Sequence, residues 1–174
     1  MFSDPKTIVK QLDIQSGWRI ADFGAGIGHF SKALSPLVGL TGKIYAIEVQ
    51  KEILGRLGSD AEHAGHGNIE PVWGNIEVPM GTRLRDSSID MVLVANVLFQ
   101  SEHRAGLLAE AKRVLHPGGK LVIIDWQESF GSMGPQPGDV VNQAEAEKLL
   151  KEAGFTIDKT IEAGAHHYGV IAHK

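Results

Sequence analysis

The 174-residue chain contains no cysteine. Disulfides, thiolate metal sites and a cysteine nucleophile are thereby excluded, and a reducing cytoplasm is the expected compartment. No apolar run approaches the roughly 20 residues of a membrane span, so no membrane partner is expected. The opening MFSDPKTIVKQL is too polar for a secretory signal. A surplus of positive charge is missing too. Lys and Arg number 17 against 21 Asp and Glu, for a formal net charge of −4. The basic residues are scattered, without the stripe of a nucleic-acid binder, which disfavours bulk nucleic acid as a partner. Catalytic metal is not expected either, because no His-x-x-x-His pair or carboxylate cluster accompanies the missing thiols.

What remains is an ordinary soluble composition, 43% hydrophobic and 22% charged. The length suits one domain spanning 1–174. Ser3-Asp4-Pro5 opens a short helix, with Ser or Asp as cap and proline in the first turn, ending near Leu12 within an N-terminal segment 1–16. Strands and helices then alternate. Trp18–Phe23 reads as a strand, Gly28–Leu37 as a helix, Lys43–Val49 as a strand and Lys51–Ala64 as a helix. Asn68–Trp73 is a short strand, and Ile89–Ala95 has the look of a sheet centre. Glu102–Leu115 is a helix ended by His116-Pro117-Gly118-Gly119. Lys120–Asp125 is a second central strand, and Asn142–Ala153 a helix closed by Gly154. Phe155–Glu162 and His166–His173 are the last strands. Only Ala163-Gly164-Ala165 separates them, too few for a crossover helix, so they pair as a hairpin. The expected fold is α/β: a Rossmann-like three-layer sandwich with a seven-stranded, mostly parallel sheet and an antiparallel strand from the C-terminal hairpin.

Asp22-Phe23-Gly24-Ala25-Gly26-Ile27-Gly28 joins the first strand to the helix after it. Glycines there permit a tight turn and close approach of a ligand to backbone, beyond the carboxyl ends of the strands. Glu48 follows about twenty residues after Gly28, where a carboxylate accepts from both ribose hydroxyls of a nucleoside. A tight turn and a solvated strand-end charge are the plain alternatives. The third glycine or alanine of a dinucleotide fingerprint falls on His29, a poor fit to NAD.

On these residues the chain resembles the class I S-adenosylmethionine-dependent methyltransferases. Asp22, Gly24, Gly26 and Gly28 meet the pattern acid-x-Gly-x-Gly-x-Gly, and Glu48 matches the ribose-binding acid. Gly74-Asn75-Ile76 matches the adenine-reading segment, with Asn75 where Asp is common. Ser88–Val92 and Arg113–Leu121 match the approaches to the fourth and fifth strands. The nearest likeness is to the small ubiquinone and menaquinone biosynthesis-type enzymes. The resemblance implies S-adenosylmethionine as cofactor and S-adenosylhomocysteine as product. It places Asp22, Gly24, Ala25, Gly26, Gly28, Glu48, Val49, Asn75, Ile76 and Asn96 around the cofactor, with Ile76 on the adenine face and Asn96 near both methionine and acceptor.

No catalytic residue is singled out. Asn96, Gln100, His103, Asp125 and Glu128 are the substrate-side candidates, with Trp126 beside them and His29 facing either the methionine pocket or solvent. Trp73 packs either on the adenine side or at the sheet edge. His166 and His167 point to opposite faces of a strand and so do not pair on a metal; a structural role is expected of them. Residues 127–141 form the one long connection able to act as a lid. The acceptor is expected to be a small molecule, and the protein a monomer or homodimer. A binding protein or subunit without independent activity, a nicotinamide oxidoreductase, and a protein or RNA methyltransferase stay open.

Overall fold

The computed structural model describes residues 4–131 and 133–174. Seven strands form one sheet in the order β3-β2-β1-β4-β5-β7-β6: β1 Arg19–Phe23, β2 Lys43–Glu48, β3 Ile69–Trp73, β4 Ile89–Ala95, β5 Leu115–Trp126, β6 Thr156–Ile161 and β7 His167–His173. Strands β1 to β5 pair in parallel, and β7 inserts antiparallel between β5 and β6. Six strands thus run one way and β7 the other, as the short five-residue connection 162–166 requires.

Alternate residues of the central strands feed two cores. In β4, Val92 and Val94 face one cluster while Met91 and Leu93 face the other. The first cluster is closed by α4 (Arg104–Val114) and α5 (Gln143–Glu152), through Leu107, Leu108, Ala146 and Leu150. The second is closed by α1 (Pro5–Val9), α2 (His29–Val38) and α3 (Lys51–His63), through Ile8, Leu34 and Leu57. The chain reverses its direction of strand addition between β1 and β4, so a crevice opens at the carboxyl ends of that pair.

Three boundaries depart from the expected ones. Helix α1 starts as read, with Asp4 accepting the Lys6 and Thr7 N–H groups; Ser3, the other proposed cap, lies outside the described residues. It stops at Val9 rather than near Leu12, where the chain tightens into i→i−3 bonds from Gln11 and Leu12 to Ile8 and Val9, and the Leu12 carbonyl accepts from Lys120 Nζ at 3.0 Å. The helix expected from Glu102 begins at Arg104, after a separate 3-10 turn at Leu98–Gln100. His116-Pro117-Gly118-Gly119 ends the helix as read, but falls inside β5 as a bulge rather than before it. Helix α4 runs straight into β5 at Leu115, which pairs with Ile89, and a register shift between Ile89 and Met91 absorbs the left-handed Gly118.

Candidate functional site

A cavity of about 290 Å³ lies at the carboxyl ends of β1, β2 and β4, lined by Gly24, Glu48, Asn75, Ile76, Val97 and Ser101 among others. Its floor is the glycine loop. Gly24 has φ +71°, and a Cβ there would stand 2.7 Å from a Val97 methyl, so only glycine seats the loop against the turn after β4. Gly24 and Ala25 donate to the carbonyl of Ile47, which ties the loop to β2.

Glu48 is buried at the end of β2. One carboxylate oxygen accepts the Gly26 N–H at 3.1 Å and the other the Gln50 N–H at 2.9 Å. A carboxylate offers about four acceptor positions, so two remain for the cavity it lines. Across that cavity the hydroxyl of Ser101 is buried and has no hydrogen-bond partner among the described residues. The side-chain carbonyl of Asn75 accepts the Glu77 N–H at 2.8 Å, which leaves its amide uncommitted to that turn. Ile76 and Val49 supply apolar wall, and Gln100 stands opposite with its amide on the Asn96 carbonyl.

Asp22 faces away from the cavity. It is buried beneath the loop and accepts the Ser31 hydroxyl at 2.6 Å, fastening the start of α2. Burial pushes its carboxyl up to about 6, against the pull of the Ser31 hydrogen bonds. Gly28 caps α2 in left-handed conformation, packed on Leu57. His29, next to it, is exposed and belongs to a different hollow between α1 and α2, bordered by Lys6, Lys10, Lys32 and His66.

Beyond β4 the backbone turns at Asn96, which holds φ +58°. Its N–H donates to Ile124 and its side-chain oxygen meets His167 Nε2 at 3.0 Å. Asp125, a candidate for the acceptor side, turns inward instead. It is fully buried, and its carboxylate accepts the N–H groups of Val97, Leu98 and Trp126 at 3.1, 2.8 and 2.8 Å. Burial raises its carboxyl to about 6 despite those bonds. Its work is to hold the turn that carries Val97 and Ser101. Glu128 is exposed and paired with His166 at 2.8 Å, and His103 sits exposed at the start of α4. Trp73 is exposed at the edge, with Lys51 and Arg83 over its ring and its indole N–H on the Val49 carbonyl.

Sequence reading left three residues around the cavity unnamed and one long-range contact unforeseen. Val97 and Ser101 look like any loop residues, and nothing in the chain marks Ser101 as buried. Glu110 lies among apolar positions of α4 and gathers the Met80 and Thr82 N–H groups, the Thr82 hydroxyl and the Arg113 guanidinium, bracing the loop behind Asn75. A carboxylate amid Leu107, Leu108 and Ala111 was the available signal. His167 was read as structural, and its contact with Asn96 spans 71 residues.

A glycine loop at the β1–α2 turn, an acid at the end of β2 and an adenosine-sized cavity between them invite comparison. The family model described as a methyltransferase domain matches residues 21–123. This chain belongs to that family. A crystal structure of a SAM dependent methyltransferase from Aquifex aeolicus shares its fold with a TM-score of 0.90 at 30% identity, covering 99% of this chain and 90% of that one. The ubiquinone/menaquinone biosynthesis C-methyltransferase UbiE of Paraburkholderia xenovorans is 29% identical over 162 residues, 92% of this chain and 61% of that protein. The arsenite methyltransferase of Aquipseudomonas alcaligenes is 32% identical over 160 residues, 84% of this chain and 46% of that protein. The chain spans about half the length of the curated relatives it matches. S-adenosylmethionine is the family's cofactor, and no helix among the described residues is long and apolar enough to cross a membrane.

Proposed function

We propose that this methyltransferase transfers the methyl group of S-adenosylmethionine to a small-molecule acceptor. The observation that carries the reading is the presence, on one cavity, of a buried Glu48 carboxylate with spare acceptor capacity and a buried Ser101 hydroxyl without a partner among the described residues. Buried polar groups are normally satisfied, and a ribosyl ligand supplies hydroxyls to both. Glu48 takes the ribose hydroxyls, Asn75 and Ile76 the adenine edge and face, and Val49 the rim. Gly24, Ala25, Gly26, Gly28 and Asn96 border the methionine end, while Asp22 acts on them through Ser31. Glu48, Glu77 and Glu102 also give the cavity an acidic lining suited to a cationic ligand.

When bound, the cofactor supplies a methyl group already activated by a sulfonium. The chain's part is to hold donor and acceptor in line, an effect worth roughly 7–11 kcal/mol in favourable cases. The Asp125 carboxylate and the Asn96–His167 bond keep the acceptor edge of the cavity rigid for that purpose. Residues 127–141 are the proposed lid of this single domain, anchored where Gly134 lies on the Trp126 ring. With no thiol in these 174 residues, a soft metalloid such as arsenite lacks its preferred ligands here. We favour an organic acceptor instead.

Calorimetric titration with S-adenosylmethionine, S-adenosylhomocysteine and NAD tests the reading. Micromolar binding of the two sulfur ligands, no NAD binding, and at least about ten-fold weaker binding in Glu48→Ala are expected, the latter being about 1.4 kcal/mol for lost charge-assisted hydrogen bonds. Tight NAD binding, or an indifferent Glu48→Ala, contradicts it.

A further inference from the structure

One turn beyond the cofactor cavity, joined to it through Asn96, stands an imidazole with a buried nitrogen that no described residue satisfies. His167 opens β7, with Trp126 of β5 paired beside it and their rings 4.2 Å apart. Its Nε2 lies 3.0 Å from the side-chain oxygen of Asn96. A carbonyl oxygen only accepts, so the proton sits on Nε2 and the lone pair on Nδ1. That Nδ1 is buried and has no hydrogen-bond partner among the described residues. An unpaired buried acceptor in a folded protein calls for an explanation, and a functional one is among the few available. His167 also borders a second hollow of about 350 Å³, with Gln127, Gln143 and Thr160 on its wall. Asn96 thus links the cofactor cavity's edge to the histidine beside a polar hollow of small-molecule size.

Resting on the methyl-transfer reading, we propose that His167 is the general base of the reaction, and that the acceptor is a small molecule presenting a weakly acidic O–H or N–H. Nδ1 takes the acceptor's proton as the acceptor's lone pair forms its bond to the methyl carbon. The carbon–sulfur bond breaks with its electron pair passing to sulfur, leaving a neutral thioether and an imidazolium that returns its proton to water. The contacts of Gly134 on Trp126 and Trp126 on His167 close the ring in, so the acceptor reaches Nδ1 when that stack parts. Burial, aided by neighbouring His166, lowers the His167 pKa and so favours the neutral ring. The other titratable groups around it are Asp125 and Glu128 at the end of β5, and Tyr168 and Glu162 in the hollow.

Two measurements on the full chain test this. Long-range ¹⁵N–¹H NMR of the imidazoles, with S-adenosylhomocysteine bound, should show His167 neutral at pH 7 with its proton on Nε2. A proton on Nδ1, or an imidazolium at pH 7, overturns the proposal. Transfer from methyl-labelled S-adenosylmethionine to a series of phenols and imides of graded acidity is the second. His167→Gln keeps a donor for Asn96 and should leave S-adenosylhomocysteine affinity within about two-fold, yet slow transfer by about 10²–10⁴-fold, the range for lost general-base catalysis. The deficit should shrink with more acidic acceptors, and free imidazole should partly rescue His167→Ala. A deficit independent of acceptor acidity, full activity in His167→Gln, or no transfer to any member by the native chain overturns it. Failure of the native chain to bind S-adenosylhomocysteine overturns instead the methyltransferase reading beneath it.

Discussion

Replacing Glu110 by alanine should cost this protein several kcal/mol and weaken its cofactor cavity at the same time. Glu110 is 2% exposed, and its two oxygens accept the Met80 N–H at 3.0 Å, the Thr82 N–H at 3.1 Å, the Thr82 hydroxyl at 2.6 Å and two Arg113 nitrogens at 2.8 and 2.7 Å. Burial alone would raise its carboxyl, but the Arg113, Thr82 and Met80 donors outweigh it and hold the carboxyl at about 2, against an ordinary 4.5. At about 1.36 kcal/mol per unit, that difference is roughly 3 kcal/mol. Truncating one partner of a buried ion pair costs about 3–5 kcal/mol by independent measure, so the two figures agree. Because the folded pKa is depressed, the contribution is present above pH 4.5 and lost as pH falls towards 2. Urea unfolding at pH 7 should therefore show Glu110→Ala less stable by about 3 kcal/mol, with a melting temperature lower by about 6–12 °C for a chain this size. The braced loop leads back to Asn75, whose N–H donates to the Gly81 carbonyl, so S-adenosylhomocysteine binding should weaken too. A loss under about 1 kcal/mol would place the interaction among ordinary surface ion pairs and refute the argument.

Two further outcomes follow from buried groups. Asp22 and Asp125 both have carboxyls raised to about 6, so their ionisation opposes folding. Their part of the stability is greatest below pH 3.8, the ordinary value, and is lost as pH rises through 6. Comparing urea midpoints at pH 4.5 and 7 should show Asp22→Asn with a flatter profile than the native chain, and an unchanged profile would show that burial does not govern this carboxyl. Gly24→Ala places a methyl group 2.7 Å from Val97 at φ +71°, a backbone conformation costing an L-residue about 1–2 kcal/mol. Cofactor affinity should fall about ten-fold or more by calorimetry, whereas an unaffected Kd would show that the loop adjusts freely.

Much of the fold was legible because it rests on local patterning. Apolar runs such as Ile89–Ala95 mark strands buried on both faces, and the short Ala163–Ala165 connection forces a hairpin. The glycine loop and Glu48 were equally readable, since a turn motif and a strand-end acid occupy positions that the β-α-β connection dictates. Boundaries were less so. The segment after α1 is tied down by Lys120, more than a hundred residues away, and β5 carries a Pro-Gly-Gly stretch whose Gly118 N–H and Gly119 carbonyl pair with Lys174 at the far end of the chain.

Side-chain orientation was decided only in three dimensions. Asp125 and Trp126 are neighbours in β5, and from the chain both were candidates for the acceptor side. Strand alternation sends Asp125 inward to the backbone of Val97 and Leu98, and Trp126 to the ring of His167. Which face each takes depends on register against β4 and β7, and that register is set by the whole sheet. The sequence by itself determined the layered sheet, the glycine turn after β1 and the acid at the end of the next strand, because each is written in spacings no longer than one β-α-β unit. Tertiary structure alone left Ser101 and His167 with buried polar atoms lacking partners among the described residues and brought Asn96 against His167, because such contacts join segments that only the finished sheet lays side by side.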